Sequence, residues 1–141
     1  MGEILDTLAE AMDRGLIRWY GLSNWKVYRL REAIEYAQKQ GFPPPAGSQV
    51  GWSLADRVLE TLGDPTMLFV DQETRQFHME TGLPLMAYSA QANGFFSGRY
   101  KRSDLGVSDS PVLQWYGTEE NFNRLERAER LAQELGCTPN Q

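Results

Sequence analysis

Apolar positions along this chain fall into two patterns, one repeating every three to four residues and one of short unbroken runs. Leu5, Leu8 and Met12 follow the first, which predicts a helix over Met1 to Gly15 with a glycine stop. Leu16 to Asn24 is rich in branched and aromatic residues and predicts a strand, with Asn24 as N-cap of the next helix. That helix carries Val27, Leu30, Ala33, Ile34 and Ala37 on one face, and Gly41 with Pro43 to Pro45 stops it. Gly47 to Ser53 is a weaker strand, and Leu54 to Gly63 a short helix or turn. Asp64-Pro65 predicts a cap and first helical residue for a helix running to about Thr81, closed by Gly82. Pro84 to Ser89 is nearly all apolar, the pattern of a parallel strand covered on both faces. Lys101 to Gly117 predicts an irregular excursion. Thr118 then caps a last helix whose stripe of Phe122, Leu125, Ala128, Ala132 and Leu135 ends at Gly136.

Strands alternating with helices predict the α/β class, a parallel sheet with right-handed crossovers. Two features are unusual for that class. Three strands are few for a sheet of this kind, and Thr138-Pro139 reads as the opening of a further helix, so the chain is expected to be cut at both ends. The chain is organised around Pro84 to Tyr100. Ligands of α/β sheets sit outside the carboxyl ends of strands, where Tyr88 and Ser89 would emerge. The loop that follows contains Gly94 and Gly98, and small residues let backbone N–H groups approach an anion.

Composition narrows the partners more than the fold. At 41% apolar and 23% charged residues the chain reads as an ordinary globular segment. A net charge of −5 with no basic cluster argues against a nucleic-acid partner. No apolar run approaches the roughly 18 residues of a membrane span, so no membrane partner is expected. A lone cysteine, Cys137, excludes an internal disulfide framework and fits a cytoplasmic location. His78, between Phe77 and Met79, reads as a surface or packing residue. The glutamates follow solvated helix faces, and none has a partner suited to acid–base work or metal ligation.

Three stretches carry a family resemblance. Gly15-Leu-Ile-Arg-Trp-Tyr-Gly-Leu-Ser-Asn24 resembles the G-x-I-R-x-x-G-[VL]-S-N stretch of aldo-keto reductases. Ser48-Gln49 with Trp52-Ser53-Leu54 is similar to their next strand. Ala87-Tyr88-Ser89 with Gly94, then Ser97-Gly98-Arg99-Tyr100, is similar to their penultimate strand and cofactor loop. The resemblance implies a partial, half TIM-type (β/α)8 barrel, residues 1–141 forming one truncated segment with about three parallel strands and four helices. It also implies NADP(H) as cofactor and, for the parent enzyme, reduction of aldehydes or ketones. On that basis Ser23, Asn24 and Gln49 would hold the nicotinamide carboxamide, and Tyr88 would stack on the ring. Ser89 and the loop through Gly94, Ser97 and Gly98 would bind the pyrophosphate. The family's catalytic Asp, Tyr, Lys and His lie on strands that these motifs do not include, so no catalytic residue is assigned and the chain alone is expected to be inactive. The loop reads Ser-Ala-Gln-Ala-Asn-Gly where many relatives have Ser-Pro-Leu. A few-stranded barrel segment would leave sheet edges and an interior face open, predicting a homo-oligomer through the faces of Ile17, Val50 and Leu85. The alternatives are a free-standing half-barrel acting as an interaction module, and a nucleotide-binding module without chemistry.

Overall fold

The computed structural model describes residues 1–141. In chain order the elements are α1 (Gly2–Asp13), β1 (Leu22–Ser23), α2 (Val27–Gln40), β2 (Ser48–Gly51), α3 (Gln72–Thr81), β3 (Leu85–Tyr88), α4 (Pro111–Tyr116) and α5 (Glu119–Leu135). Short 3-10 turns occupy Leu59–Thr61, Ala92–Ser97 and Arg102–Asp104. The three strands form one sheet in the order β1-β2-β3. Leu22 pairs with Ser48 and Ser23 with Gln49 in parallel. Ser48 N–H donates to Pro84 O (2.9 Å) and Trp52 N–H to Tyr88 O (3.2 Å). Donor and acceptor advance together, 48 to 52 and 84 to 88, so β3 is parallel to β2 as well. The fold is therefore α/β with a parallel sheet, as the alternation of patterns predicts. No helix is long and apolar enough to cross a membrane.

The chain divides into two compact units, Met1–Val50 with Thr66–Ala87 and Gly51–Pro65 with Tyr88–Gln141. The core of the first is built from Leu5, Tyr20, Leu22, Val27, Leu30, Ala33 and Phe77, all under one-tenth exposed. The core of the second gathers Phe95, Phe96, Leu113, Tyr116, Phe122 and Leu125, with Ala55 and Ala92 filling between them. Phe95 lies at the centre of this group, its ring 5.1 Å from that of Phe122 and 5.5 Å from that of Phe96.

Several predicted boundaries move, each for a physical reason. The strand expected over Leu16 to Asn24 shrinks to Leu22–Ser23 because its first residues close α1 instead. Gly15, at φ +69°, donates to Met12 O, and Leu16 donates to Ala11 O, the paired bonds of a Schellman stop. The helix expected from Asp64-Pro65 begins at Gln72. Leu68 N–H is bonded to Asn24 Oδ1 (3.1 Å), and Asp71 offers the better cap, accepting from Thr74 N–H at 2.8 Å. That same bond removes Asn24 as N-cap of α2. The cap position is Lys26, with no side-chain bond, and Asn24 sits before it in a left-handed conformation. The excursion at Lys101 to Gly117 contains α4, a six-residue helix with Pro111 in its first turn, too short to show an apolar period. Thr118 does cap α5, accepting from Asn121 N–H.

Burial of the sheet also departs from expectation. β3 is expected to be covered on both faces, yet Met86 and Ala87, which point to opposite faces, are both exposed, so neither face of the strand is closed over there. Val50 is 1% exposed, on the side of the sheet shared with Leu22 and Ser48, so it belongs to the closed face. Ile17 packs against the first unit's core. The open face of that unit carries Gly21, Ser23, Gln49 and Met86 instead, with Gly47 buried beneath Pro84 and Met86. Glycines suit it: a Cβ at Gly21 would lie 3.1 Å from Gly47 O, and one at Gly47 the same distance from Pro84 O.

Candidate functional site

In the first unit the site is built at the carboxyl ends of β1 and β2. Pleating turns Leu22, Ser48 and Val50 into the closed face, so Ser23 and Gln49, which pair in register, stand together on the open one. Asn24 follows at φ +57°, and its N–H donates to Gln49 O at 2.9 Å. Its side-chain oxygen accepts from Leu68 N–H, which fixes the amide against the segment that leads to α3. A hydroxyl and two carboxamides side by side offer both donors and acceptors, the complement of a planar amide.

In the second unit Tyr88 ends β3, half-buried, its carbonyl bonded to Trp52 N–H. Ser89 turns the chain at φ +53° and its carbonyl accepts from Ala92 N–H at 2.8 Å. Ala92 and Asn93 are also left-handed, at φ +48° and +54°, before Gly94 at +83°. Ala92, Phe95 and Phe96 are buried, while Asn93 is exposed between them. The loop is therefore an apex of polar and small residues anchored on both sides by core side chains. Gly94 N–H is bonded to Gln91 O (3.0 Å), so the N–H groups of Ala92 and Gly94 hold the turn itself. Ser97 comes close to Gly94, with its Oγ 4.0 Å from where a Cβ would stand there. Gly98 lines a cleft with Glu126, Glu129 and Arg130 of α5, where two carboxylates accompany one guanidinium.

Two residues that meet this loop carry no sequence signal. Tyr116 of α4 is 1% exposed, and its hydroxyl donates to Asn93 Oδ1 at 3.3 Å. Arg57 lies over the rings of Trp115 and Tyr116, at 4.3 and 5.3 Å. Burial pushes the Tyr116 hydroxyl above its ordinary pKa, while the charge of Arg57 and its hydrogen bond oppose the rise and Tyr88 adds to it. Tyr116 is a protonated phenol at neutral pH. Asn93-Gly94 was the one available signal, since Asn before Gly favours left-handed turns. Arg57 and Tyr116 are far from it in sequence and gave none. No three His, Cys, Asp or Glu side chains converge as metal ligands would.

A parallel sheet whose strands alternate with helices is the fold of a partial α/β-barrel segment. The family model described as the aldo/keto reductase family matches residues 1–141. The chain belongs to the aldo-keto reductase family, whose members generally use NADP(H).

Proposed function

We propose that residues 1–141 supply the nicotinamide-side part of an NADP(H) site in an enzyme that reduces aldehydes or ketones. The observation that carries this reading is where the backbone is strained. The non-glycine residues at positive φ are Asn24, Ser89, Ala92 and Asn93, and all four fall at the carboxyl ends of β1 and β3 or in the loop that follows. Such conformations cost roughly 1–3 kcal/mol each, persist where the surrounding structure over-determines them, and cluster at ligand sites. Ser23, Asn24 and Gln49 fit the carboxamide, and Tyr88 offers a flat face to the ring. Ser89 and the loop to Gly98, with Gly94 and Ser97, take the pyrophosphate. The fit is closer at the nicotinamide end, because the N–H groups of Ala92 and Gly94 already bond within the loop. When bound, the nicotinamide supplies the hydride that a carbonyl accepts. This chain's residues bind and orient it, and none of them is assigned the proton donor that carbonyl reduction needs, so the chain alone does not turn over.

Tryptophan fluorescence tests both parts. Trp52 pairs with Tyr88 through its backbone and is half-exposed, so NADPH should quench it saturably, more weakly in Gln49→Ala. No change up to millimolar NADPH rejects the cofactor assignment. Turnover of a broad aldehyde panel by the chain alone rejects the inactivity. A second reading, self-association of the chain, is favoured by the unpaired edges of β1 and β3.

A further inference from the structure

We propose that Arg57, Tyr116 and Asn93 form a relay that holds the Ser89–Gly94 loop in its left-handed form, making them positioning residues for the phosphate end of the nucleotide site. The loop-holding part stands on the Tyr116–Asn93 bond and the stacking of Arg57 on Tyr116; the nucleotide part rests on the cofactor reading above.

The direction of the relay follows from its chemistry. The Arg57 guanidinium lies 5.3 Å over the Tyr116 ring, so its positive charge stands beside the phenol and draws on the hydroxyl oxygen. The phenol hydrogen is then left for Asn93, whose Oδ1 accepts it at 3.3 Å. Arg57 stacks on Tyr116, and Tyr116 donates to Asn93. A cation beside a phenol polarises its O–H and strengthens the bond that the hydroxyl donates. Arg57 is itself held in place by stacking on Trp115 and Tyr116, which limits where its fork can point. Tyr116 cannot drift, since its ring packs 6.4 Å from Phe95 in the second unit's core.

The far end of the relay is where the loop needs it. Ala92 and Phe95 are fully buried and fix the loop on either side. Asn93 is the exposed residue next to Ala92, at φ +54°, and the bond from Tyr116 ties its side chain to the core. Asparagine tolerates this conformation better than most residues, but tolerance alone does not select it. A side-chain bond to a rigid phenol does. Ser89 and Gly94, assigned to the anion, flank this residue and take their position from the same turn through the bonds Ala92 to Ser89 and Gly94 to Gln91.

Three variants separate positioning from packing. Tyr116→Phe keeps the ring and removes the hydroxyl. Arg57→Lys keeps the charge and loses the planar fork. Asn93→Gly keeps left-handed freedom, removes the amide and lies at an exposed position, so it folds even where the others do not. Amide hydrogen exchange is measured on the nucleotide-free chain, with NADPH titrated in parallel. Tyr116→Phe should speed exchange in peptides spanning Ser89 to Gly98 about tenfold, while the amides of α5 stay protected. The NADPH dissociation constant should rise about fivefold in the same variant. Arg57→Lys should give a smaller change of the same kind. In the Asn93→Gly background Tyr116→Phe should have no further effect on the loop, since the relay then has no acceptor. Unchanged loop exchange in Tyr116→Phe, or equal acceleration across α4 and α5, overturns the proposal. A wild-type chain that ignores NADPH, with loop exchange still responding to Tyr116→Phe, sinks the cofactor reading and leaves the relay as a loop-holding device.

Discussion

Two aspartates compete to open α3, and the outcome shows how a single side chain decides a boundary. Asp64 precedes a proline, the stronger local signal, but Asp71 holds the bond to Thr74 N–H. Burial would raise the Asp71 carboxyl. Bonds from the Thr74 backbone and hydroxyl and from its own N–H outweigh that and hold it below its ordinary value of 3.8. A carboxylate whose folded pKa is depressed stabilises the fold above the unfolded pKa and loses that contribution as pH falls through the folded one. Asp71→Ala should therefore cost about 1 kcal/mol at pH 7. The difference from wild type should shrink as the pH drops below 3.8, as urea unfolding at pH 7 and pH 3 would show. Gly117 is a residue of a different kind. It ends α4 at negative φ, so its role is not turn freedom, yet a Cβ there would lie 2.4 Å from Leu113 O and 2.9 Å from a Leu105 methyl. Gly117→Ala should destabilise the chain by about 1–3 kcal/mol through overpacking, measurable as a lower thermal midpoint with α4 shifted or frayed.

At the scale of elements, stability concentrates where aromatic side chains from several segments meet. Phe95 contacts the rings of Phe96, Tyr100, Tyr116 and Phe122 and is fully buried. Phe95→Ala should cost about 3–5 kcal/mol, and hydrogen exchange should rise in α4 and α5 as well as in the loop. That breadth distinguishes it from Tyr116→Phe. Elements were readable from sequence where one local rule acted alone. α5 shows an apolar stripe of which Phe122, Leu125 and Ala132 are buried while Leu135 at its end is exposed, with a Thr118 cap and a Gly136 stop. β1 and α3 were misjudged because a bond from elsewhere outweighed the local signal: Leu16 closes α1, and Leu68 is taken by Asn24. That Tyr88 and Ser89 stand at a strand's carboxyl end was legible from the apolar run before them, while Ser23, Asn24 and Gln49 were marked only by the family resemblance. The relay behind them was not, since Arg57 and Tyr116 meet Asn93 only through the fold. No spacing in the chain encodes that meeting.

For the whole molecule, the open question is what the sheet does with its edges. β1 and β3 each pair only with β2, leaving backbone donors and acceptors on both outer sides. The open sheet face of the first unit carries Gly21, Ser23 and Gln49, with Met86 half-exposed. Such a face is a weaker driver of association than an apolar core of aliphatic side chains. Val50, which would have supplied one, is turned to the closed side. Self-association, if driven by the edges, is then a matter of strand pairing and responds to a charge placed on an edge strand more than to salt. A net charge of −5 opposes association only weakly at physiological ionic strength, where the screening length is about 8 Å. Light scattering at micromolar concentration should accordingly give a multiple of the single-chain mass. Met86→Lys, which puts a cation on the open face of the edge strand β3, should return the mass to that of one chain without lowering the thermal midpoint, because Met86 is outside both cores. A wild-type chain that is monomeric at that concentration removes self-association from its functions. A Met86→Lys variant that stays associated moves the interface away from β3.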